Sequence, residues 1–136
     1  MTRMRTKILG AILAGGVLFS VGAAVKAGYQ LENTVSINTY ATYRSGSGAM
    51  GTARNSADAN QQIGCRVEAS TGSNFARCLA RTAAGAYLEC TTSSAAIVQA
   101  AAAIGSASRI YFTENLAGTC TSLHAQNESN WKPMVP

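Results

Sequence analysis

IGCRVEASTGSNFARCLARTAAGAYLECTT, residues 63–92, holds three of the chain's four cysteines at spacings that suit a three-stranded antiparallel meander. If Thr71-Gly72 is a two-residue hairpin loop, Cys65 falls opposite Cys78. If Ala83-Ala84-Gly85 is a three-residue loop with Gly85 in the left-handed conformation, Thr82 faces Ala86 and Cys78 falls opposite Cys90. A row of sulfurs then crosses three strands. Cysteine parity places Ile63, Cys65, Val67, Ala76, Cys78, Ala80, Ala86, Leu88 and Cys90 on one face, an apolar set expected to form core. The opposite face mixes charge with rings: Arg66, Glu68, Phe75, Arg77, Leu79, Arg81, Tyr87 and Glu89. We read it as a solvated face, with Phe75, Arg77 and Tyr87 as its candidate contact residues.

Working outward, the chain begins with a basic stretch containing Arg3, Arg5 and Lys7, followed by an uncharged apolar run from Ile8 to Val25 and then Lys26-Ala27. This is the pattern of a secretory signal peptide, residues 1–27, with cleavage after Ala27 and Ala24 as the second choice. Its Gly and Ala content makes it a weak membrane span, so export is expected and no membrane association afterwards. Four of the eleven basic residues leave with the signal while all six acidic ones stay, so seven against six leaves a net charge of +1. The basic balance therefore belongs to the precursor and gives the mature chain no nucleic-acid character. Residues 28–136 are one domain's worth of chain, small enough for cross-links to matter.

All four cysteines, Cys65, Cys78, Cys90 and Cys120, lie in that mature part, at spacings of 13, 12 and 30 residues. An even count in an exported chain points to two disulfides in an oxidising compartment, periplasm or medium, and the spacings lack the close pairs that zinc sites use. Cys65 with Cys78 and Cys90 with Cys120 is the preferred pairing; Cys78 with Cys90 and Cys65 with Cys120 is the alternative.

Before the meander, residues 29–43 read as one strand with Val35, Ile37 and Thr39 on its buried face and Tyr40 and Tyr43 at its end. Residues 44–62, with Gly46, Gly48 and Gly51 among small polar residues, read as a long surface loop. After it, Ile97, Ala101 and Ile104 recur at helical spacing over 94–105, with Ser93 or Ser94 to cap and Gly105 to stop. Residues 108–114 and 119–126 read as two further strands, and 127–136 as a loose tail except where Trp131 packs. The order predicts a mainly β fold with one short helix, a small antiparallel barrel or an α+β domain in OB-like order.

Little in this inventory carries chemistry. His124 is the sole histidine, and no nucleophile elbow accompanies it. The carboxylates Glu32, Asp58, Glu68, Glu89, Glu114 and Glu128 show no pairing by spacing. The signal and composition look bacterial, so the sequon Asn127-Glu128-Ser129 is given no role. Trp131 is either a stacking platform or a pin for the tail.

The runs Asn55-Ser56-Ala57-Asp58, Ile63-Gly64-Cys65, Cys90-Thr91-Thr92-Ser93, Ile110-Tyr111-Phe112 and Cys120-Thr121-Ser122, together with Cys78, resemble small exported bacterial proteins of an uncharacterised group. That resemblance implies no activity or site. The order of elements is also similar to the OB-fold binding subunits of secreted toxins, which implies glycan binding. The expectation is an exported binding or structural domain without catalysis, cofactor or metal, whose partner is a protein or a saccharide. Its candidate surface is Phe75, Arg77, Tyr87 and Trp131. A protease inhibitor or a small hydrolase is the alternative, although residues 44–62 contain no proline or cysteine to stiffen an inhibitory loop.

Overall fold

The computed structural model describes residues 30–133; the expected export signal lies outside the described residues. The chain runs β1 (Ser36–Thr39), β2 (Tyr43–Ala49), α1 (Met50–Arg54), β3 (Gln62–Ser70), β4 (Ser73–Arg81), β5 (Tyr87–Thr92), α2 (Ala95–Ala102), β6 (Arg109–Asn115) and β7 (Thr119–Gln126). The fold is mainly β. Among the described residues the strands form one sheet in the order β1-β2-β6-β7-β5-β4-β3.

The meander has the expected register. Cys65 faces Cys78 and Cys78 faces Cys90, and Gly72 and Gly85 both take φ 86° to turn the two corners. With three cysteines in one row only two can bond each other, and the disulfides are Cys65–Cys78 and Cys90–Cys120, the preferred pairing. The second bridge lies at a thin seam. β5 and β7 run parallel and share one ladder pair, Thr91 with Thr119, backed by the Thr91 N–H donating to the Gly118 carbonyl at 3.0 Å. Elsewhere neighbouring strands are joined by full antiparallel ladders. The Cys90–Cys120 bond therefore holds together two half-sheets that the backbone joins only lightly.

The sheet curls over its own inner face, where Phe112, Leu88, Ile110, Cys78, Cys90 and Ala80 are buried with Ile63 and Val35. It does not close: β1 and β3 are its free edges, so the expected barrel is an open one. β2 makes the curl. A Cβ on Gly46 would lie 2.8 Å from the Phe112 ring and 2.9 Å from the Ala80 side chain of β4, so the absent side chain is what lets the two half-sheets approach.

This strand corrects the reading of residues 29–62. The one strand expected over 29–43 is two, paired as a hairpin around Tyr40, and what was expected to be a long loop contains β2 and the second helix, α1. Serine and glycine have weak strand propensity, and β2 is held by pairing on both sides instead. Two expected core residues are also outside. Val67 is 38% exposed because β3 is an edge strand whose burial falls away toward Ser70. Ala86 sits on the exposed corner that closes with the Thr82 N–H on its carbonyl.

The expected helix is Ala95–Ala102, with Ala101 buried and Ile97 and Ile104 against the core; Ser94 precedes it but makes no side-chain cap. The tail is tied down as far as Pro133. Leu31 and Trp131 form a parallel bridge, Lys132 pairs with Glu32 at 2.7 Å, and Asn55 donates to the Pro133 carbonyl at 3.0 Å. No helix among the described residues is long and apolar enough to cross a membrane, and two disulfides fit an oxidising compartment.

Candidate functional site

Alternation along β2, β6 and β7 sorts their residues cleanly. Gly46, Gly48, Ile110, Phe112 and Leu123 point inward, so Tyr43, Ser47, Tyr111, Thr113, Ser122 and His124 form the outer face, while Ser45 shares their row but is buried. β1 adds Ser36 and Asn38 beside Ser47 and Ser45. This half of the sheet thus carries rows of hydroxyls with rings among them.

The rings gather in two contacts. Tyr40 and Tyr43 stack with centroids 4.4 Å apart and planes at 18°, and Tyr111 meets His124 at 5.8 Å. Partial burial pushes the Tyr43 phenol above its usual range, and the Tyr40 and Tyr111 phenols add to the shift. The three phenols therefore share one neighbourhood. Between the rings the hydroxyls bond one another: Ser36 with Ser47 at 2.9 Å, and Thr113 with Thr121 at 2.8 Å and with Ser122 at 2.7 Å. A hydroxyl bonded to a neighbour keeps a free lone pair or proton for a ligand. Arg109, next along the outer row from Tyr111, places its guanidinium 5.7 Å from the Trp131 ring centroid, so the tail borders this face at one end.

The sequence-predicted candidates fall elsewhere or take other roles. Phe75 and Arg77 do come together, lining a shallow recess of about 520 Å³ with Thr91, Thr92, Ser93 and Thr119. Arg77 is engaged by Glu89 at 3.5 Å and Arg66 by Glu68 at 2.6 Å. The Tyr87 hydroxyl donates to Glu89, which raises its phenol above the usual range. Apart from Arg81, this outer face of the meander pairs its charges among themselves, as a solvated surface does. Trp131 is 8% exposed and pins the tail beside Leu31, away from Phe75.

His124 is exposed, with Tyr111 as its ring partner. Glu114 is the one fully buried carboxylate; it pairs with Arg44 and accepts the Gly118 N–H at 2.9 Å, closing the turn between β6 and β7. Among the described residues no group of three or more His, Cys, Asp or Glu could hold a metal ion. The tyrosine face escaped the sequence reading because β2 did. The signal was the alternation Tyr43, Ser45, Ser47 against Arg44, Gly46, Gly48, masked by residues that rarely build strands. Compared with family models, curated proteins and solved structures, the chain matches none.

Proposed function

We propose that the mature chain is a small exported binding domain without catalytic activity, and that it takes a saccharide on the outer face of β1, β2, β6 and β7. The observation that carries this reading is the grouping of Tyr40, Tyr43, Tyr111 and His124 around rows of serine and threonine hydroxyls. Sugar rings present apolar C–H faces and hydroxyl edges in alternation. Tyrosines offer flat apolar area with a wet polar tip, and a hydroxyl lane offers both donors and acceptors. The face is broad rather than deep, which suits an extended or surface-displayed glycan more than a small enclosed ligand. Export follows from the signal-like start of the chain and agrees with the two disulfides.

A glycan array probed with the oxidised domain tests this reading, with Tyr111→Ala and the more exposed Tyr40→Ala run in parallel. We expect a defined set of bound glycans, and loss of at least about fivefold in affinity in each variant, as truncating a central aromatic contact gives. A blank array, or binding untouched by both variants, would overturn it.

A further inference from the structure

Seven cationic side chains lie among the described residues, and five are engaged. Arg44, Arg66, Arg77 and Lys132 are in ion pairs. Arg109 donates to Gln126 at 3.1 Å and lies over Trp131. Arg54 and Arg81 have no ion pair or hydrogen-bond partner among the described residues. Both line one cavity of about 350 Å³, which shares no residue with the tyrosine face, and its apolar side is Met50, Ala53 and Ile63.

The wall between them is built rather than loose. Asp58 accepts the N–H groups of Asn60 at 2.9 Å and Gln61 at 2.7 Å, and also the Gln61 side-chain amide at 2.7 Å. Gln61 in turn accepts the Val35 N–H at 2.9 Å, and the Asn60 side chain donates to the Ala83 carbonyl at 2.9 Å. These bonds tie the segment before β3 to the segment leading into β1 and to the corner between β4 and β5. They also fix Asn60 and Gln61, two of the residues that line the cavity. The cavity thus holds two guanidinium groups with no ion-pair partner among the described residues, each able to hold an oxyanion in a forked pair of bonds, over an apolar wall.

We propose that this cavity binds a small organic anion, a carboxylate carried on a compact apolar group, with Arg54 and Arg81 holding the carboxylate and Met50, Ala53 and Ile63 covering the apolar part. Its size is at the small end for ligand pockets, which limits the occupant to a small molecule or the end of a longer one.

The test is an NMR titration of the oxidised domain with benzoate, with benzamide as the neutral isostere and sodium sulfate as the anion without an apolar group. Benzoate is expected to shift amides of 53–63 and of Arg81, with benzamide and sulfate each at least about tenfold weaker. Arg54→Gln and Arg81→Gln, both at exposed positions, are each expected to weaken benzoate about tenfold at unchanged melting temperature. Equal binding of benzoate and benzamide, sulfate binding as tight as benzoate, absence of benzoate binding, or benzoate affinity unchanged in both variants would overturn the proposal. Each of these readouts is independent of any glycan.

Discussion

Phe112 lies at the centre of the molecule because two residues around it have almost nothing on their α-carbons. Gly46 presents bare backbone to its ring, and Ala80 a single methyl from β4. Gly46→Ala must push a ring and a β-strand apart, and overpacking of that kind costs about 1–3 kcal/mol. Gly64, on β3, would meet nothing within 4 Å, so Gly64→Ala is the matched control and is expected to be close to neutral. Urea unfolding of the two variants checks this; equal midpoints would mean the two half-sheets do not meet at Gly46. Asp58 makes a second prediction at the same scale. Its three bonds from Gln61 and Asn60 lower its carboxyl from the ordinary 3.8 to about 2. A folded value depressed below the unfolded one means the turn gains stability from ionised Asp58 above about pH 4 and loses it as pH falls toward 2. The carboxyl carbon of Asp58 should titrate with a midpoint near 2, and a midpoint near 3.8 would show that the turn is not bonded in solution.

At the scale of elements, what could be read from the sequence followed the local signals. The meander, its register and both turns came from cysteine parity and from Gly72 and Gly85, since one buried face and tight turns leave few registers open. The helix and the last hairpin came from a change in period. The hairpin of β1 and β2 was not legible, because its buried side is Gly46 and Gly48, whose role is to let distant residues approach. A requirement set by Phe112 and Ala80, far along the chain, leaves no trace in a local window. The tyrosine face was hidden with it, as was the parallel meeting of β5 and β7. That seam makes the two disulfides unequal. Chain entropy gives about 3 kcal/mol for the short loop and about 3.5 kcal/mol for the longer one. The Cys65–Cys78 bond reinforces a ladder already complete, whereas Cys90–Cys120 spans a single ladder pair. Replacing Cys90 and Cys120 together by alanine should therefore lower stability more than replacing Cys65 and Cys78. It should also speed amide exchange at Thr91 and Thr119 first. Guanidinium unfolding with hydrogen exchange decides this, and equal losses with no local opening would contradict it.

For the whole molecule, one curled sheet divides labour between its two sides. The inner side holds the rings, small residues and disulfides that let a short chain bury a core. On the outer side, the meander pairs its own charges except Arg81, while the other half-sheet is left with tyrosines, His124 and hydroxyls. This second half is the proposed recognition surface. A two-dimensional amide NMR titration of the oxidised domain with the oligosaccharide that binds best on the array puts this proposal to the test. Shifts are expected to concentrate on the outer rows, at Ser36, Asn38, Tyr43, Ser47, Tyr111, Thr113 and His124. Shifts confined to the charged face around Arg77 and Glu89, or no shifts at all, would contradict it.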